Sequence, residues 1–353
     1  MDFENETCLG KFTRTVLDNV TLATIFKFEH LAAYIVPPFF GIIIIIGIVG
    51  NSLVIYVVAS NKSMRNVTNI LITGLALADL CFLITCISMR TIPYFTLNWP
   101  LGDAMCKIVQ FLTFALAYIS IYILVWMSII RYLAISCPLA SINFRTNRNA
   151  YIVLAVTALV IFGANVPVLG IFHVELYHGY GDERLVCISN VCTNDERNIL
   201  AVFFVIGYLV PLTLIFVLYG LILRTLMKAG ELGAGSLRST TSKWRAARMV
   251  ITVVLTFMLC WLPAEILFII EFLENRPVSI QWLFLQVFAQ VFAYANSCIN
   301  PILYALLSAN FRKGFRIALF RTCRIGRKLK TYNSGKNSEK YFRKNSSTSA
   351  MTL

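Results

Sequence analysis

The sequence predicts an all-α membrane protein, a bundle of seven transmembrane helices followed by a short amphipathic helix on the cytoplasmic surface. Three observations predict it. Of 353 residues, 58% are hydrophobic and only 14% charged, whereas a soluble domain carries nearer a quarter charged residues. A single core cannot hide that much apolar surface, so lipid must be its solvent. Seven stretches supply the roughly 20 apolar residues that a helix needs to cross the hydrocarbon layer. Lysine and arginine then gather in alternate connections between those stretches, as they do on the cytoplasmic face of a membrane protein.

The spans run over residues 34–59, 67–89, 108–130, 151–172, 198–223, 249–270 and 280–307. The charged side chains within those limits are Asp79 in the second and Glu265 in the sixth. Residues 1–30 lack a basic start followed by an apolar run, so no cleaved signal peptide is expected and the first span serves as the insertion signal. After the seventh span, residues 310–320 (NFRKGFRIALF) alternate basic and apolar side chains at helical spacing. That pattern suits a helix lying on the inner leaflet. Cys323 follows it as a palmitoylation candidate. The chain thus divides into an N-terminal segment (1–33), a bundle (34–309), a membrane-surface helix (310–323) and a disordered tail (324–353).

Charge sets the orientation. The first connection carries Lys62 and Arg65, and the third carries Arg145 and Arg148. The fifth carries Arg224, Lys228, Arg238, Lys243, Arg245 and Arg248, and the tail after Ala309 is strongly basic. The opposite side holds Asp2, Glu4, Glu6, Asp18, Glu29, Asp182, Glu183, Asp195 and Glu196. A multi-pass protein of the plasma membrane with an extracellular N-terminus follows. The net charge of +14 marks a membrane face and membrane lipids, not nucleic acid. Sequons at Asn5 and Asn19 lie outside as glycosylation candidates, while those at Asn61, Asn66 and Asn345 fall inside and should be silent.

Other classes fit poorly. The 10 cysteines form neither a disulfide framework nor a metal-knuckle pattern, and His30, His173 and His178 have no metal-ligand spacing. There is no glycine-rich phosphate loop, so an enzyme is not expected. A transporter or channel commonly shows internal repeats around a midplane site. No repeat is visible here, and Asp79 and Glu265 lie on separate helices.

An ionisable group within a bilayer marks a functional site by default. Asp79 has polar company at similar depth in Asn51, Ser120, Asn296, Ser297 and Asn300. A carboxylate ringed by amides and hydroxyls can hold a small cation through oxygen ligands, or form a hydrogen-bonded knot without one. Prolines at 167, 211, 263 and 301 each remove a backbone donor and predict kinks.

GN at residues 50–51, LALAD in span two, SIIRYLAI closing span three, CWLP in span six and NPILY in span seven together resemble the rhodopsin-like G-protein-coupled receptors, over residues 34–323. The resemblance implies a two-state bundle whose cytoplasmic ends open to a heterotrimeric G protein. It assigns Asp79, Ser120, Asn296 and Asn300 to a pocket for sodium as an allosteric modulator, with no other cofactor. Ile121, Pro211 and Phe257 become an activation packing triad, and Trp261 the aromatic floor of the ligand pocket. Arg131, Tyr219, Pro301 and Tyr304 become parts that rearrange on the cytoplasmic side. The resemblance also pairs Cys106 with the second extracellular loop, where Cys187 and Cys192 both stand; the LVCIS setting of Cys187 reads as a strand and slightly favours it.

The sequence departs from the family pattern at several positions. Ile130 replaces the acid expected before Arg131, span six has Lys243 rather than an acid near its cytoplasmic end, span four lacks its tryptophan, and Ser88 stands where proline is common. Without the acid, Arg131 is expected to be held less firmly at rest, raising ligand-free signalling.

Tyr294 occupies the position where a retinal pigment has its lysine, and Thr113 the position where amine receptors have aspartate. CKIVQF, SIYILVWMSIIRYLAI and SINFRTNRNAYI are similar to the allatostatin-A receptors, relatives of the galanin receptors. That similarity implies a short neuropeptide as ligand, and an acidic outer face would draw in a basic one. The outer pocket would comprise Gln110, Thr113, Phe114, Trp261, Glu265, Phe268, Gln286 and Gln290. Glu265 would pair with a basic group of the ligand, with Arg90, or with a hydroxyl inside the bundle. The alternative in the same family is a receptor for a lipid or small molecule, against which these glutamines and Glu265 weigh. Ser334, Ser338 and SSTSAMT in the tail suit a receptor kinase and arrestin.

Overall fold

The computed structural model describes residues 19–179, 182–189, 194–231, 237–273 and 279–318. Seven of its helices are long and apolar enough to cross a membrane, so this is a multi-pass membrane protein. The first is α1 (Asn19–Ser60). Helix α2 spans Val67–Thr96 and contains a π turn at Phe82–Ile87. Next come α3 (Gly102–Ser136) and α4 (Asn147–Ala164). An antiparallel hairpin of β1 (Phe172–Gly179) and β2 (Asp182–Ser189) follows. Helix α5 runs from Asn194–Phe204 through a π turn at Val205–Leu209 into Val210–Glu231. Helices α6 (Leu237–Leu273) and α7 (Ile280–Leu307) complete the bundle, and α8 covers residues 309–318.

Local chemistry starts several helices where they begin. Asn66 accepts the N–H of Asn69 at 3.0 Å, Thr146 that of Asn149 at 3.2 Å and Ser279 that of Trp282 at 3.2 Å, each capping donors that the first turn leaves free. Leu97 ends α2 in the left-handed region at φ 50°, an uncommon backbone for a branched residue. Asn98 supports the turn by accepting the N–H groups of Trp99 and Leu185.

One apolar core runs the length of the bundle, with Phe40, Leu71, Leu83, Ile121, Leu124 and Met127 fully buried. Phe216 and Leu159 are 82% and 75% exposed. In a bilayer such outward side chains meet lipid tails, and packing within the bundle holds it together.

Prolines shape the helices, and side chains repair the backbone they disrupt. Pro301 has no N–H for the carbonyl of Ser297, and Asn51 Nδ2 from α1 donates to that carbonyl at 2.8 Å. Pro211 likewise leaves carbonyls of the preceding turn without a donor. Tyr122 donates to the carbonyl of Ile206, five residues before the proline, at 2.8 Å, and Tyr118 separately donates to that of Phe203, a turn earlier, at 3.2 Å. In a membrane such substitutes are what make mid-helix proline tolerable. Close approach of the helices accompanies these contacts: a Cβ on Gly50 would lie 2.9 Å from Pro301 Cβ, and one on Gly207 would lie 2.2 Å from the Tyr118 ring.

The structure corrects several expectations from sequence. Pro167 does not kink a continuous helix; α4 stops at Ala164 and a separate turn, Val168–Ile171, begins after the proline. Most helices outrun their apolar cores: α1 starts at Asn19 rather than residue 34, and α2 continues seven residues beyond Met89, to Thr96. Arg90 looked like the end of span two by its charge, yet it lies within α2, turned toward α3 and α7. Helix α8 forms with Phe311 buried against Tyr304 at 5.5 Å and Arg312, Lys313 and Arg316 exposed. Asn5, Cys192, Cys323 and the tail lie outside the described residues, and Asn19 is the first residue of α1.

Candidate functional site

The candidate residues fall into three levels along the bundle, from the end that carries the hairpin to the end that carries Arg131. At the hairpin end, Cys106 of α3 is disulfide-bonded to Cys187 of β2. Cys187 is thus the partner, and it sits in a strand. Further ties fix the hairpin. The Val174 N–H donates to Asp103 Oδ1 at 2.9 Å, the Trp99 N–H to the Leu185 carbonyl at 2.8 Å, and Arg184 pairs with Glu29 at 3.0 Å.

Below the hairpin lies a connected polar layer. Arg90 donates to Gln110 Oε1 through Nη2 and to the Tyr294 hydroxyl through Nη1 at 3.4 Å. Gln290 donates to Tyr294 at 2.8 Å and accepts from the Tyr94 hydroxyl at 2.9 Å. Gln110 Nε2 lies 3.8 Å from Cys187 Sγ. Gln110 and Gln290 therefore commit their amides to protein partners that link α2, α3, α7 and the hairpin. Glu265 forms no ion pair with Arg90 among the described residues, and it lies within electrostatic reach of Tyr118 and Tyr208. Phe114 contacts Phe172 and Phe203 with ring centroids 6.1 and 6.3 Å away, and Phe268 stacks on Phe204 at 6.0 Å. Thr113 turns its hydroxyl back to the Val109 carbonyl at 2.7 Å, and Gln286 is half-buried on α7.

Arg90, Tyr94 and Tyr294 are the members of this layer that motif reasoning passed over as site residues. The signal was present in Arg90, a charge at the end of an apolar run. Positive-inside reasoning assigns such a residue to an interface, whereas its contacts are inside the bundle.

The middle level begins at Trp261. Its ring stacks on Phe257 at 5.9 Å and meets Phe82 edge-on at 6.3 Å, and Phe82 also meets Tyr294 at 5.7 Å. Ile121 and Phe257 share the buried core, and Pro211 is buried in α5. Beneath them, Asn300 Nδ2 donates to Asp79 Oδ2 at 2.9 Å, and Ser297 faces the same carboxylate. Ser120 and Asn296 are also buried, and the side-chain oxygens of Asn296 and Asn300 have no hydrogen-bond partner among the described residues. Buried acceptors around a carboxylate are the donor set that a hard cation requires, so these residues fit sodium. No group of three or more His, Cys, Asp or Glu with metal-site geometry occurs among the described residues.

At the far end, Arg131 and Ile130 line a cavity of about 650 Å³ together with Arg65, Arg145, Asn147 and Ser308. Arg131 Nε, and Tyr304 Oη in the buried core, are without hydrogen-bond partners among the described residues, and Tyr219 is also buried. The cavity wall is basic, carries no carboxylate among the described residues, and opens between α2, α3, α6 and α8.

Comparison with known proteins shows the family to which the chain belongs. A family model of the seven-transmembrane receptors (rhodopsin family) matches residues 50–304. The allatostatin-A receptor of Bombyx mori is 39% identical over 297 residues, covering 83% of this chain and 81% of its own. The galanin-like G-protein coupled receptor npr-9 of Caenorhabditis elegans is 35% identical over 89% of this chain and 79% of its own. Human galanin receptor type 2 is 34% identical over 81% and 73%. The chain belongs to the rhodopsin family of seven-transmembrane receptors, a family of receptors and not of enzymes.

Proposed function

We propose that this receptor binds a short neuropeptide of the allatostatin-A or galanin type at its hairpin end and passes the binding event to a heterotrimeric G protein at its Arg131 end. The observation that carries the reading is the similarity to peptide receptors over about four fifths of both chains. The polar layer under the hairpin supports a peptide over a lipid, because backbone amides need donors and acceptors that a hydrocarbon chain does not. The basic, acid-free cavity at the other end supports an acidic or C-terminal peptide segment of the transducer. In this reading the protein sits in the plasma membrane with its N-terminus extracellular, glycosylated at Asn5 and Asn19. Its tail meets a receptor kinase and arrestin, and Cys323 carries palmitate on the lipid side.

Calcium and cyclic AMP, recorded in cells exposed to a panel of amidated peptides, test this directly. A response to allatostatin-A- or galanin-type peptides is expected. Exchange of Glu265 for Gln is expected to reduce peptide potency about tenfold, the loss of one charge-assisted contact. Silence to the whole panel with receptor at the cell surface would transfer the site to a lipid or small-molecule ligand.

Sodium is proposed as a modulator held by Asp79, Ser120, Asn296 and Asn300. A cation bound only in the resting arrangement stabilises that arrangement by mass action. Raising sodium from a potassium-balanced buffer should therefore weaken agonist binding to the native receptor. Asp79→Asn should abolish that dependence. Equal sodium sensitivity in both proteins would remove the ion from the site.

A further inference from the structure

We propose that Arg90 is a ligand-anchoring residue that grips acceptor oxygens at one end of the peptide, its carboxylate or its terminal amide carbonyls. The inference rests on the peptide-receptor reading and adds to it the chemistry that one wall of the pocket recognises.

The geometry carries it. Arg90 lies inside α2, more than one turn before the helix ends at Thr96. Its Nη atoms donate to neutral acceptors, Gln110 and Tyr294. Its Nε is sealed from solvent with no hydrogen-bond partner among the described residues. No carboxylate pairs with it among the described residues; its hydrogen-bond partners there are Gln110 and Tyr294 alone.

A charged group held this way is expensive. Removing a cation from water is offset only by a close counter-charge and a full set of hydrogen bonds. Linking α2 to α3 and α7 needs no charge; a neutral amide could donate to Gln110 and Tyr294 without the desolvation cost. The guanidinium has five N–H donors in a planar fork that matches a carboxylate or paired carbonyls. Its neighbours keep that fork in place: Gln290 and Tyr94 buttress Tyr294, and Gln110 is fixed beside the Cys187 disulfide. The fork is thus oriented before the ligand arrives, which lowers the ordering cost of binding. An acceptor brought by the ligand supplies the counterpart that the protein does not.

The test joins a signalling arm to a ligand-free arm, using native receptor, Arg90→Gln and Arg90→Lys. The signalling probe is an allatostatin-A-type peptide as its C-terminal amide and as its free acid. Arg90→Gln is expected to shift potency roughly 30-fold to higher concentration, and Arg90→Lys to recover it only in part because the fork is lost. A larger loss for the free acid identifies a carboxylate as the group held, and equal losses identify carbonyl oxygens; both support the proposal. In the ligand-free arm, the melting temperature of purified Arg90→Gln is expected to equal or exceed that of the native receptor, because an uncompensated charge has been removed. Unchanged potency with both peptide forms, or a lowered melting temperature, overturns the proposal. If the native receptor answers no peptide, the peptide reading fails while the melting arm still decides whether Arg90 is structural.

Discussion

Replacing Asn51 with leucine is expected to destabilise the receptor by about 2–3 kcal/mol, the cost of one buried carbonyl deprived of its donor, and to lower its melting temperature by roughly 5 °C. The reason is the proline on the facing helix. Pro301 cannot donate to the Ser297 carbonyl, and Asn51 Nδ2 does so at 2.8 Å while also reaching Gly47 O at 2.9 Å. Gly47 O is the ordinary helical acceptor for the backbone of residue 51, so the loss falls mainly on Ser297. A double-mutant cycle isolates the effect. In a Pro301→Ala background, the alanine N–H can take the Ser297 carbonyl, and Asn51→Leu should then cost less than half as much. Equal costs in the two backgrounds would mean that Asn51 acts through something other than the proline, such as its nearness to the Asp79 level.

Introducing an acid at the other end is expected to quieten the receptor. In Ile130→Asp, ligand-free signalling per receptor at the cell surface should fall about tenfold, the equivalent of 1.4 kcal/mol of added resting-state stability. Among the described residues, Arg131 Nε is buried without a partner, and the cavity that Arg131 and Ile130 share has a basic wall with no carboxylate. No acid on that wall, among the described residues, holds the guanidinium in place. An aspartate at 130 would give it an acceptor in the resting arrangement and shift the two-state balance, because a contact made in one state alone moves the equilibrium by its own energy. Ile130→Asn separates charge from size and should have a weaker effect. Basal signalling equal to that of the native receptor in both variants would show that Arg131 is restrained elsewhere.

The bundle was legible in the sequence because its signal is repeated and coarse. Twenty apolar residues between charged connections can hardly fold otherwise in lipid, and all seven spans were found. Helix ends were less legible, because α1 and α2 extend past the hydrocarbon into segments whose composition is mixed. Pro167 was misread for a related reason: the sequence shows that a donor is missing but not whether a neighbour replaces it. For Pro301 a neighbour does, through Asn51, and the helix continues; at Pro167, α4 ends.

The site was legible residue by residue and not as a set of contacts. Asp79 and Asn300 could be named from sequence, and they meet at 2.9 Å. Cys187 was favoured over Cys192 by its strand setting, and the hairpin register places it opposite Val174 and bonds it to Cys106. Gln110 and Gln290 were named as pocket residues, but which groups their amides would bind depended on where Arg90 pointed. A charge at the edge of an apolar run has the same appearance in sequence whether it faces the lipid interface or the bundle interior.

The hairpin's attachments have a kinetic consequence. Several of them reach α1, α2 and α3: Cys187 to α3, Leu185 to the turn after α2, Val174 to the start of α3, and Arg184 to α1. A sheet tied through both strands to α1, α2 and α3 behaves as a cover hinged on those helices. Loosening the clamp should therefore act more on how long a ligand stays than on how fast it arrives, since differences among related complexes reside mostly in dissociation. Breaking the Arg184–Glu29 pair is the gentlest way to do so, because it leaves the disulfide and the polar layer untouched. Residence time then becomes a property of the receptor's outer edge, adjustable apart from the chemistry that selects the ligand.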